Sequence, residues 1–185
     1  MDIDHKALEC LSIPQSTRHG FYKVNHGSFK KTWESCIMID GKSYREVAEV
    51  LVFKDNQVYM WIKDGIIHLP GGSTDPEMPL EETCIHECRE EAHFIIKNIK
   101  YIGQEVRNMK QSGWTPGKGF YTGGKVAHVF RAEYVSDYTG PVDKADIDEK
   151  ILNDGKWYDL NEALKVSTSD LYTKAINDYM NPITR

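Results

Sequence analysis

Cysteine is scarce, with only Cys10, Cys36, Cys84 and Cys88 in a chain of 185 residues. Four scattered thiols do not build a disulfide scaffold, and a reducing cytoplasm is the compartment they imply. Long apolar runs are missing too: a membrane helix needs about 20 such residues, so no membrane association is expected. The start, Met1-Asp2-Ile3-Asp4-His5, is acidic and lacks the apolar stretch of a secretory signal. Positive charge is not in surplus either, since 23 Lys and Arg face 28 Asp and Glu for a formal charge of −5. That balance excludes the broad basic footprint of a general nucleic-acid binder and weighs against long RNA or DNA as a partner. It leaves room for a local pocket that takes a few phosphates. Repeats, low-complexity tracts and Pro/Gly/Ser-rich linkers are absent, and the length suits one globular domain with a core of its own.

What is present is an ordered series of strand and helix signals. Residues 1–42 are mixed and weakly periodic, and read as an N-terminal extension with one or two short strands. The main domain is expected over 43–185. Val47 to Phe53 is a β-rich apolar run, Asp55-Asn56 turns, and Gln57 to Ile62 follows, which together read as a hairpin. Asp64-Gly65 turns again into Ile66-Ile67-His68-Leu69. Pro79 through His93 has a helix-compatible first turn, with Pro79 followed by Glu81 and Glu82, and no later Gly or Pro interrupts it. Strands are expected over Ile99–Val106 and Lys125–Val135; the acidic stretch Asp143–Glu149 leads to Lys156-Trp157-Tyr158-Asp159-Leu160, and a final helix is expected from about Glu162 to Tyr179. This order implies an α/β (α+β) fold with a mixed sheet covered by helices.

The helix carries Glu87, Glu90 and Glu91, at i, i+3 and i+4. At about 100° per residue they share one sector, while Cys84, Ile85, Cys88 and Ala92 occupy an adjoining sector directed at the core. Like charges side by side are unfavourable by a few tenths of a kcal/mol per pair, a penalty that a divalent cation removes. Mg²⁺ suits hard oxygen ligands. An isolated E-x-x-E-E is otherwise simply a solvated acidic face.

The residues upstream change that weighing. Pro70-Gly71-Gly72 lies between a strand and the helix, where backbone without side chains can approach a ligand, and Gly72 precedes Glu87 by fifteen residues. The stretch from Gly72 to Phe94 resembles the signature of the Nudix hydrolases, G-x5-E-x7-R-E-U-x-E-E-x-G-U with U apolar. Gly72, Glu87, Cys88, Glu90, Glu91 and Phe94 fit. Met78 stands where the first Glu is expected, His86 replaces the Arg and His93 the final Gly. The Glu and Arg pair with each other in the family, so their joint loss leaves no orphaned charge.

The resemblance covers roughly 43–180, one domain length, and implies a Nudix fold with its mixed β-sheet sandwiched between α-helices. It further implies Mg²⁺-dependent hydrolysis, with Mn²⁺ as a substitute, of a diphosphate linkage in a nucleoside diphosphate-X substrate. Glu87, Glu90 and Glu91 would ligate the metal, with the Gly71 carbonyl as a further ligand. The general base would be Glu149, in the acidic stretch with Asp146 and Asp148, or Glu87 instead. ADP-ribose, another nucleotide sugar, a dinucleoside polyphosphate, a non-standard nucleoside triphosphate and a capped RNA end all fit that chemistry. Dimers are common in the family, which brings a homodimer into consideration. The competing reading is a Nudix-fold protein that binds a nucleotide or a protein partner with weak or no catalysis; Met78 and His86 favour it, and the complete carboxylate set opposes it.

Smaller signals concern the substrate. Arg45 precedes a core strand and Lys63 follows one, so each is placed to reach a phosphate or merely to keep the surface soluble. Trp114, Phe120 and Tyr121 in a Gly-rich loop can stack on a nucleobase or pin the loop to the core, with Lys118 and Lys125 beside them. Cys84 and Cys88 lack the further ligands of a zinc site. Glu90-x-x-His93 has the spacing of di-iron bundles, but no second such motif exists on another long helix.

Overall fold

The computed structural model describes residues 19–24, 31–63, 65–75, 77–108, 123–142 and 155–182. Its strands are β1 (His19–Val24), β2 (Lys31–Ile39), β3 (Lys42–Lys54), β4 (Gln57–Lys63), β5 (Ile66–His68), β6 (Gly71–Ser73), β7 (Phe94–Asn108), β8 (Gly124–Asp137) and β9 (Lys156–Asp159). The helices are α1 (Leu80–Glu87), α2 (Leu160–Val166) and α3 (Asp170–Met180), and a π-helical turn, Cys88–Ala92, continues α1. The expected α+β class with a mixed sheet is what is found.

β3 is the hub. It pairs with β2, β4, β6 and β8, while β1 lies on β2, β7 on β8, and β5 and β9 on β4. The expected hairpin is antiparallel, with Val52 opposite Tyr59 and Phe53 opposite Val58. Its tight turn needs a left-handed residue, and Asp55 supplies it at φ 52. From Glu46 to Phe53 every residue of β3 is buried, as expected of a strand covered on both faces.

The chain divides into two compact units. In the unit comprising 1–48, 72–83 and 104–128, Ile37, Ile39 and Val126 form a small core with Tyr44 and Val106 packed on it. The unit comprising 49–71, 84–103 and 129–185 holds a larger core. There Leu51, Phe53, Val58, Met60, Ile67, Leu69 and Val129 from the strands and the residue after β5 meet Leu160 and Ala163 of α2 and Tyr172, Ala175 and Ile176 of α3. Strand alternation sends Tyr59 to the other face of β4, onto Phe94 and Trp157 at ring-centroid distances of 4.8 and 5.5 Å. Gly155 makes room for that arrangement, because a Cβ there would collide with the Tyr59 hydroxyl.

The long C-terminal helix expected from Glu162 to Tyr179 is two helices. Ser167 is extended at φ −67, ψ 126, and ends α2; the Ser169 side chain accepts a hydrogen bond from Tyr172 N and starts α3. A cap hydroxyl competes successfully with helix continuation here. The strand expected over Ile99–Val106 is longer, reaching back to Phe94. Residues 1–42, read as an extension, contribute β1 and β2, and β2 pairs with the start of β3 through Cys36↔Arg45 to Ile39↔Lys42. Among the described residues no helix is long and apolar enough to cross a membrane.

Candidate functional site

The backbone approaching the helix is tied down at each step. Val50 N donates to the Pro70 carbonyl at 3.0 Å, which fixes the Pro-Gly-Gly corner to β3. Gly71 N then donates to Glu91 Oε2 at 2.9 Å. A charge-assisted bond of this kind contributes about 1.5–3 kcal/mol. Gly71 and the acidic helix, linked in the sequence only by spacing, therefore meet in space. Further on, Ser73 Oγ accepts from Arg45 Nε at 2.5 Å, so Arg45 is engaged with the loop. Lys63 is exposed at the end of β4.

α1 starts as its sequence suggests, with the Pro79 carbonyl accepting from Glu82 N and Thr83 N at 3.0 and 3.3 Å. It does not continue as an α-helix to His93. At Cys88 it widens into the π turn, closed by His93 N donating to the Cys88 carbonyl. More residues per turn mean less rotation per residue, so Glu90 and Glu91 do not keep the α-helical spacing to Glu87. Cys84, Cys88 and Ala92 are buried, as their sector demanded, whereas Ile85 is only half-buried. Glu87, Glu90 and Glu91 are half-buried. Among the described residues no three His, Cys, Asp or Glu side chains converge, as they stand, to hold a metal ion. Glu91 is meanwhile occupied with Gly71 N. The donor set, carboxylate oxygens beside a glycine backbone, nevertheless has the hard-ligand chemistry that Mg²⁺ prefers.

The carboxylates set the local electrostatics. Burial pushes the Cys88 thiol well above its ordinary range, and Cys84, Glu91 and Glu87 add to the shift. Burial also raises the Tyr59 hydroxyl, helped by Glu91 and Cys88. Both groups stay neutral near pH 7. His93, which stands at the signature's final Gly position, is left-handed at φ 55, ψ 42, a conformation Gly adopts without strain. Met78 is half-buried, its sulfur accepting from the Thr83 hydroxyl at 3.8 Å, and His86 is exposed.

Glu149, with Asp146 and Asp148, and Trp114, Lys118, Phe120 and Tyr121 lie outside the described residues. Other polar residues of note were not singled out by sequence reasoning. Glu46, 1% exposed, faces His128 Nε2 at 2.8 Å and accepts from Thr74 Oγ1 at 3.0 Å. Glu49 accepts from Tyr172 Oη at 2.6 Å, also out of solvent. The available signal was acid inside an otherwise apolar strand.

The NUDIX domain profile matches residues 35–177. The chain belongs to the Nudix family. No curated protein matches the sequence. Among solved structures, a NUDIX hydrolase from Nitrosomonas europaea is similar at 16% identity and a TM-score of 0.50, over 74% of this chain and 88% of that one. The E. coli ORF135 protein is similar at 13% identity and a TM-score of 0.44, over 74% and 89%. The first likeness shows the Nudix fold in this chain, and the profile begins inside β2, ahead of residue 43.

Proposed function

We propose that this protein is a Mg²⁺-dependent Nudix hydrolase that cleaves the diphosphate linkage of a small nucleoside diphosphate-X substrate, of the nucleotide-sugar or ADP-ribose kind. The observation carrying the reading is the bond from Gly71 N to Glu91 Oε2, which joins the glycine corner to the acidic turn. Glu87, Glu90 and Glu91, with the Gly71 carbonyl, would hold the metal. When bound, Mg²⁺ neutralises phosphate charge and lowers the pKa of a water. Glu91 would exchange its Gly71 contact for that role or share its two oxygens between them. Glu149 is proposed to take the proton of the attacking water, with Glu87 as the alternative. Arg45 and Lys63 would meet phosphates; Trp114, Phe120 and Tyr121 would stack on the base, with Lys118 beside them. Mn²⁺ would substitute for Mg²⁺, the protein would work in the cytoplasm, and a homodimer is the assembly we would look for first.

The test is a panel of nucleoside diphosphate derivatives incubated with Mg²⁺, Mn²⁺ or EDTA and analysed by product chromatography. Metal-dependent appearance of two phosphorylated products supports the reading. Substrate binding without turnover under every metal condition would instead establish the second reading, a Nudix-fold binder, which Met78 and His86 favour.

A further inference from the structure

We propose that the buried pair Glu46–His128 is a positioning device for the Nudix loop. Through the Thr74 hydroxyl it would hold the backbone that follows Gly71 in the register from which α1 must start. The inference rests on the hydrolase reading above and adds residues to it that do not touch substrate.

Arg45 and Glu46 are consecutive on β3, so their side chains leave opposite faces. Each takes hold of one of two consecutive loop residues. Arg45 Nε donates to Ser73 Oγ at 2.5 Å, and Thr74 Oγ1 donates to Glu46 Oε2 at 3.0 Å. Thr74 N adds a bond to the Glu46 carbonyl at 3.2 Å. The loop is thus clamped from both sides of one strand. Behind the clamp, Glu46, His128 and Thr74 are 1%, 2% and 0% exposed. In the 2.8 Å contact Glu46 Oε1 faces His128 Nε2, a ring nitrogen whose donor or acceptor role follows the tautomer.

Stability alone is a poor reason to bury such a pair, because apolar residues of the same volume often serve a core as well or better. What a buried polar pair supplies is a preferred geometry: a slipped loop would cost Glu46 Oε2 the Thr74 hydroxyl and that buried hydroxyl its carboxylate. Thr74 lies three residues beyond Gly71 and six before Leu80. A slip there would move Gly71 N, the donor to Glu91, and the first turn of α1.

The deciding comparison is Thr74→Ser against Thr74→Val. Val copies the shape of Thr and loses the hydroxyl; Ser keeps the hydroxyl and loses a methyl group. If Thr74 positions the loop, Thr74→Val should lower kcat on the order of ten- to a hundredfold with KM little changed, and Thr74→Ser should rescue most of it. Amide hydrogen exchange over 71–78 should speed up in the Val protein and stay slow in the Ser protein. If Thr74 only fills space the ranking inverts, and Val matching or surpassing Ser in both readouts overturns the proposal. Glu46→Leu, which has no acceptor oxygen and so removes the Thr74 bond outright, tests the link to the pair. Combined with Thr74→Val it should be no worse than the poorer single variant, since both break one bond; additive losses would show two independent roles and sink the idea. Should the wild-type protein turn over no compound in the panel, the hydrolase reading fails, and the exchange data alone still decide whether the loop is held this way.

Discussion

The buried Glu49 and the half-buried Glu91 have different tasks. Glu49 accepts a short bond from Tyr172 Oη and ties β3 to α3, which is architecture. Glu91 reaches Gly71 N, which is the junction of the proposed site. Substituting Gln separates charge from shape. In Glu91→Gln the amide oxygen can still accept from Gly71 N, so the fold should survive with its melting temperature nearly unchanged. Metal affinity should fall by at least about 10–100-fold, the loss typical of removing even an outer-shell partner. Titration of Mn²⁺ beside a thermal melt checks both halves, and Glu90→Gln should behave alike; near-normal affinity in either would remove that carboxylate from the metal set. Glu87, Glu90, Glu91 and Gly71 could be nominated from the sequence because a spacing tied to glycine is a pattern in one dimension. Glu46 and His128 stand 82 positions apart, and their pairing depends on which strands become neighbours. No periodicity in one segment encodes that.

At the scale of elements, sequence reading found each helix region and misjudged its interior. The apolar rhythm of Pro79–His93 shows which residues face the core, and Cys84, Cys88 and Ala92 do. Rhythm does not report which carbonyl each N–H selects, so the widening at Cys88 was invisible. His93, by contrast, sits at the position where the family signature expects glycine, and its backbone is left-handed there. A non-glycine residue there is strained by about 1–2 kcal/mol, offset partly by the extra freedom glycine gives the unfolded chain. His93→Gly should therefore stabilise the protein by about 0.5–1 kcal/mol in urea titrations; a destabilised protein would mean that the imidazole makes a contact worth more than the strain. Between α2 and α3, Ser167-Thr168-Ser169 was read through as helix. Ser169→Ala removes the cap on Tyr172 N and should cost about 1 kcal/mol. The loss should be visible as a lower urea midpoint with unchanged far-ultraviolet dichroism below the transition.

For the whole molecule, burial raises several weak acids in one direction. The Cys36 thiol is pushed from its ordinary 9.0 to about 11, chiefly by burial, and Cys88, Tyr59 and Tyr179 are raised as well. A group whose folded pKa lies above its unfolded value binds protons more tightly when folded. Its stabilisation is complete below the unfolded value and is lost as pH climbs through the folded one. Stability should therefore hold to about pH 9 and fall progressively toward pH 11, with urea midpoints as the measurement. Cys36→Ala should flatten part of that decline, and an unaltered slope would show that the other three groups carry it. The four pairings of β3 have a consequence in time. A ribosome delivers the chain from its N-terminus, so β2, β3 and β4 emerge and can associate while β8 is still unsynthesised. Until β8 arrives, β3 lacks one of its four strand neighbours, and an open edge invites pairing with another nascent chain. The interval between the synthesis of β3 and that of β8 is thus the stage at which that edge stands open.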